Sequence, residues 1–135
     1  MFRKYGFLGI LLILLVEINF FYRFIDLGTL YFPLIWFGYI FVIDALVYKL
    51  KRNSLISSRP YQLLGLVIVS AFIWWTFELI NTASKNWDYE SSGRIFPYGL
   101  AVVIKTIAFS TVLPAFFETV ELIKAIHLFD NKKLK

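Results

Sequence analysis

Cysteine is absent from the 135 residues, and histidine and methionine occur once each. Without thiols, disulfides, thiolate metal sites, CxxC redox chemistry and covalent c-type haem are excluded. The lone His127 rules out a b-type haem held between two histidines of this chain. No phosphate-binding loop, hydrolase triad or zinc-ligand spacing is present either, so neither a cofactor nor a metal is expected. Charge is scarce as well. Only 17% of the residues are charged, while 59% are hydrophobic and 20% aromatic, more apolar surface than one soluble core of this length could cover. The mean hydropathy of +0.71 makes the lipid bilayer the expected solvent. The pI near 9.5 comes from basic residues flanking apolar runs, which is a pattern of membrane orientation and not a nucleic-acid face.

What is present reads as an all-α bundle of four transmembrane helices in a single domain covering residues 1–135. Arg3 and Lys4 precede GFLGILLILLV, which imitates a signal peptide. No small-x-small site follows and the apolar run continues past Glu17, so a retained anchor over about 5–25 is expected, near the roughly 20 residues a span needs. In its second half Asn19, Tyr22, Arg23 and Asp26 fall on one helical face, with an Arg23–Asp26 salt bridge as the plain reading. A turn at Gly28 leads to helix two, about 30–48, with Pro33 in its first turn and Asp44 near its end. The loop 49–60 carries Lys49, Lys51, Arg52 and Arg59 and is assigned to the cytoplasm. Pro60 opens helix three, about 61–82. The nearly charge-balanced loop 83–94, with Trp87 and Tyr89, is assigned to the outside. The last apolar run, 95–129, would be roughly 50 Å long as one helix against a hydrocarbon core of about 30 Å. A helix over about 97–126, kinked or broken at Pro114, is therefore expected, with both termini inside.

Helix three holds the stretch SAFIWWTFELINTASKNWDY, residues 70–89. It places Glu78 and Asn81 one turn apart beside Trp74 and Trp75. A carboxylate and an amide at that depth cost several kcal/mol unless something answers them. By depth, Asn19, Arg23, Glu78, Asn81 and Lys105 share the outer half, and Lys105 or Arg23 is the natural partner of Glu78. Asp44, Glu118 and Glu121 form a second acidic group toward the inside.

Two resemblances follow from these motifs. Trp-Trp-x-Phe-Glu-x-x-Asn at 74–81, Asn-Trp-x-Tyr at 86–89 and Phe-Ser-Thr-Val-Leu-Pro-x-x-x-Glu-Thr at 109–119 resemble an uncharacterised family of prokaryotic multi-pass membrane proteins. Its members are often about twice this length and carry a second, divergent copy of the pattern. The resemblance covers roughly residues 30–122; it implies a half-size member of the family and carries no established activity. The basic segment 52–59, Glu78, Trp87 with Tyr89, and Leu113, Pro114, Phe116, Phe117 and Glu118 are also similar to the small subunits of prokaryotic lycopene cyclases. The adjacent Glu-Glu that those subunits carry after the proline is missing here.

Three functions are consistent with this reading. The first is a multi-pass protein acting as an oligomer or as a subunit of a membrane complex, its expected partner a second copy or a related membrane chain. The second is an intramembrane enzyme or binder for an apolar lipid or isoprenoid, with Glu78 as acid/base and Asn81 orienting it. The third is a small proton- or cation-coupled transporter using Glu78, Asp44 and Glu118. The expected location is a prokaryotic cytoplasmic membrane, and nucleic acid is not an expected partner.

Overall fold

The computed structural model describes residues 1–88 and 96–126, and the described chain is all-helical. Four helical segments are long and apolar enough to cross a membrane: Lys4–Tyr22, Tyr31–Lys51, Pro60–Ser84 and Tyr98–Ala125. The first three are α1, α2 and α4. Between α2 and α4 lies a four-residue helix, α3 (Leu55–Ser58), and the last segment is divided into α5 (Tyr98–Ser110) and α6 (Val112–Ala125). The basic tail with Lys132, Lys133 and Lys135, together with His127, Tyr89 and the rest of the second half of the 83–94 loop, lies outside the described residues.

The helices form two antiparallel hairpins. α1 packs on α2, and α4 packs on α5 and α6. The hairpins meet where α2 runs parallel to α6, joined by the Tyr39–Thr119 hydroxyl pair at 2.6 Å and by buried Ile40, Val47 and Ala115. α1 and α4 are therefore the outer members. α4 buries only Ser70 of its 25 residues and exposes Leu64, Ile68, Phe72 and Leu79. In water such a helix would be untenable, whereas in hydrocarbon its exposed apolar face costs nothing and contact is decided by packing and polar bonds.

Several boundaries differ from the sequence expectation. α1 stops at Tyr22, because Arg23 takes a left-handed conformation (φ 51°) and its N–H bonds back to the Asn19 carbonyl. Arg23 and Asp26 therefore do not continue a helical face, and Asp26 instead accepts the Gly28 N–H at 3.0 Å. α2 runs on to Lys51, which takes Lys49 and Lys51 into its last turn, and left-handed Arg52 ends it. Cations at a helix C-terminus offset the negative end of its dipole.

The interruption expected at Pro114 falls one turn earlier, at Thr111. Proline lacks the N–H that would bond the carbonyl four residues back, and its ring crowds that carbonyl. Pro114 therefore sits buried in the first turn of α6. Ser70 of α4 fills the gap. Its hydroxyl accepts the Leu113 N–H at 3.1 Å and donates to the Phe109 carbonyl, the two groups an unbroken helix would have joined to each other. Each would otherwise be an unpaired buried backbone group, at a cost of about 1–3 kcal/mol.

Close approach of α1 and α2 depends on three glycines, Gly6, Gly9 and Gly38, and a Cβ on Gly6 would stand 2.5 Å from the Ala45 Cβ of α2. A Cβ on Gly9 would stand 2.6 Å from the Gly38 carbonyl oxygen, and one on Gly38 2.7 Å from Ile13 Cγ1. Small residues at such crossings let backbones touch where the hydrophobic effect offers no drive. Gly65 of α4 has nothing within 4 Å of its added Cβ. Gly9→Leu and Gly38→Leu are each expected to lower unfolding stability in detergent by about 1–3 kcal/mol, and Gly65→Leu to leave it nearly unchanged. Equal losses at Gly9, Gly38 and Gly65 would contradict this account of the α1–α2 contact.

Candidate functional site

Polar side chains collect at both ends of the bundle. The end built from the start of α1, the end of α2, α3, the start of α4 and the end of α6 carries Arg3, Lys4, Lys49, Lys51, Arg52, Arg59 and Lys124; it is called the basic end below.

At the opposite end, Glu78 Oε2 pairs with Lys105 Nζ at 2.6 Å, and Glu78 Oε1 accepts the Trp87 indole N–H at 3.1 Å. The ion pair ties α4 to α5. Trp74 stacks on Phe109 and Trp75 meets the same ring edge-on, while the Trp75 indole N–H bonds Thr106 at 3.1 Å. Both tryptophans thus wedge α4 against α5 beside the interruption. Lys105 Nζ also lies 5.9 Å from the Trp75 ring centre. Asn81 does not orient Glu78. Its side-chain oxygen accepts the N–H groups of Asn86 and Trp87, and its amide donates to the Trp87 carbonyl at 2.9 Å, so it clamps the turn after α4. Asn19 does the same after α1, with two bonds to the backbone of Ile25. With Arg23, Asp26 and Tyr31, Asn19 lines a shallow depression at the α1–α2 turn. Among the described residues no bond joins this group to Glu78, because α1 packs on α2 while Glu78 faces α5. The common outer cluster expected from depth is thus two separate sites, and Tyr89 lies outside the described residues.

The acidic residues of the basic end do come together. Asp44 from α2 and Glu118 from α6 are both fully buried, and they are brought side by side at α3, whose consecutive Leu55 and Ile56 N–H groups bond Glu118 Oε1 and Asp44 Oδ1 respectively. Removing two carboxylates from water is costly unless donors surround them. Asp44 has three: the Tyr5 hydroxyl, the Ser54 hydroxyl at 2.8 Å and the Ile56 N–H at 2.7 Å. Glu118 has one, the Leu55 N–H on Oε1 at 3.1 Å, and its Oε2 is buried without a hydrogen-bond partner among the described residues. The α3 segment thus spends its first free N–H groups on both acids, the donors that a helix N-terminus leaves unpaired.

One turn beyond Glu118, Glu121 bridges Lys51 at 3.4 Å and Arg59 at 3.3 Å, and the Arg59 guanidinium lies 5.5 Å from the Phe117 ring centre. Tyr5, Ser54, Ser57, Arg59 and Ser70 were not among the candidates read from the sequence. A polar LISS segment set inside a basic loop, and a tyrosine in the first turn of an apolar helix, were the available signals.

The two hairpins follow one plan. In each, the first helix ends in a left-handed basic residue (Arg23, Lys85) behind an asparagine clamp. In each, an acid on that helix takes a bond from the second helix: Glu17 from Tyr31 at 2.8 Å, Glu78 from Lys105. Asp44 then follows Tyr31 by 13 residues, and Glu118 follows Lys105 by 13. Comparison with protein-family models, with curated proteins and with solved structures gives no match.

The Glu78–Lys105 pair is open to a double-mutant cycle. Glu78→Gln is expected to lower the thermal midpoint by an amount corresponding to about 1 kcal/mol, and Glu78→Gln with Lys105→Met to recover most of that loss. A loss that the second change leaves untouched would mean that the ion pair does not hold α4 to α5.

Proposed function

We propose that this chain is a small integral membrane protein whose functional centre is the Asp44–Glu118 pair, which takes up and gives up a proton from the cytoplasmic side. One observation carries the reading. Two fully buried carboxyls lie side by side between the central helices, bonded by consecutive N–H groups of α3, and among the described residues one oxygen, Glu118 Oε2, has no donor. A single proton held between the carboxyls supplies that donor and removes the repulsion of two adjacent charges. Ionisable residues placed inside a membrane bundle mark ion or proton pathways more often than they mark packing.

The basic residues gathered at the same end support a cytoplasmic orientation for it, and hence both termini inside and a cytoplasmic-membrane location. In this reading the protein serves proton-coupled transport as a homodimer or beside a related membrane subunit, as the resemblance to a family with a doubled motif implies. A lipid or isoprenoid site at Glu78 is less well supported. Asn81, its proposed orienter, is committed to the turn backbone, and the carboxylate is bonded to Lys105 and Trp87.

Infrared difference spectra of the lipid-reconstituted protein, recorded between two pH values, test the reading. A protonated-carboxyl absorption that changes with pH is expected in the parent, lost in Glu118→Gln, displaced in Asp44→Asn and untouched in Glu78→Gln. No such absorption at any pH at which the protein is folded, or one that survives both Glu118→Gln and Asp44→Asn, would overturn it.

A further inference from the structure

The pair is sealed from direct contact with solvent, since neither Asp44 nor Glu118 has exposed surface. A proton that exchanges there needs a route. The hydrogen bonds supply one on the α1 side. Ser57, on the outer side of α3 and part-exposed, lies with its hydroxyl 2.9 Å from the Tyr5 hydroxyl, and the Tyr5 hydroxyl reaches Asp44 Oδ2. Either oxygen of the Ser57–Tyr5 contact can be the donor, so the chain can be polarised in both directions.

The other polar neighbours do not offer an equal path. Ser54 also donates to Asp44 but is fully buried. On the α6 side, one turn beyond Glu118, Glu121 holds the cations Lys51 and Arg59, and positive charge opposes an arriving proton. The groups facing the pair are thus Tyr5 from α1, Ser54 and the first N–H groups of α3, Arg59 before α4, and Glu121 of α6 with Lys51 of α2.

We propose that Ser57 and Tyr5 form a hydroxyl relay that carries protons between the basic-end solvent and the Asp44–Glu118 pair. The inference rests on the reading of that pair as a proton-binding centre. In the inward direction, solvent hydronium gives a proton to Ser57 Oγ and becomes water. The serine passes its own hydroxyl proton to Tyr5 Oη, and the tyrosine passes its own to Asp44 Oδ2. Each hydroxyl breaks one O–H bond and forms one, so both end neutral and the charge is cancelled at the pair. Outward transfer is the reverse.

Tyr5→Phe keeps the ring, whose edge-on contact with Phe41 has a centroid separation of 6.2 Å, and removes only the relay oxygen. The experiment is a rapid pH jump on the reconstituted full chain, following the protonated-carboxyl absorption in time. Tyr5→Phe and Ser57→Ala are expected to slow its appearance about tenfold or more. Ser54→Ala, which removes a donor of Asp44 outside the relay, is expected to shift the equilibrium titration without slowing exchange. An unchanged rate in Tyr5→Phe with the absorption intact, or equal slowing in all three variants, overturns the relay and leaves the proton-binding pair standing. Absence of a titrating absorption in the parent overturns both.

Discussion

The meeting of Asp44 and Glu118 between α2 and α6 has to be answered by hydrogen-bond donors, and much of the basic end is built from the groups that supply them. Tyr5 comes from the first turn of α1, and Ser54, Leu55 and Ile56 come from the connection between the hairpins. That connection is folded into a short helix whose free N–H groups point at the acids. An apolar bundle without the carboxyls would need no such segment. A carboxyl pair without the segment would leave two buried acids with too few partners.

The same constraint explains the rest of the architecture. Where hydrocarbon replaces water, helices associate through close backbone contact and satisfied polar groups. α1 meets α2 over Gly6, Gly9 and Gly38, and α4 meets the last segment through the Ser70 hydroxyl set into the α5–α6 interruption. The Glu78–Lys105 pair and the two tryptophans hold the far end of that second hairpin. Both hairpins repeat one order of features, an outer acid, its partner and then a buried acid, and the two buried acids are the ones that meet.

Periodicity and length made the four helical segments legible, because an apolar run of about 20 residues has few alternatives. Depth arithmetic also brought Asp44 and Glu118 to a common level, and it marked Lys105 as a partner for Glu78. It failed for Asn19 and Arg23 because depth carries no information about which helix neighbours which. α1 pairs with α2, so residues of equal height on α1 and α4 belong to separate sites. Spacing alone sets Asn81 one helical turn from Glu78, yet the turn after α4 offers backbone N–H and C=O groups at Asn86 and Trp87 that its amide bonds instead. A proline interrupts its helix about one turn before its own ring, where the carbonyl it displaces lies, so the break falls at Thr111 and not at Pro114. α3 was invisible, since four residues carry no periodicity and its order comes from acids far away in sequence.

Carbon-13 NMR of the Asp and Glu carboxyls in lipid nanodiscs, assigned through Asp44→Asn and Glu118→Gln, tests the shared proton most directly. The account expects one proton shared by the two carboxyls, so that Asp44→Asn displaces the Glu118 signal and Glu118→Gln displaces the Asp44 signal. Two carboxylates that stay ionised and titrate independently, each indifferent to loss of the other, would contradict it.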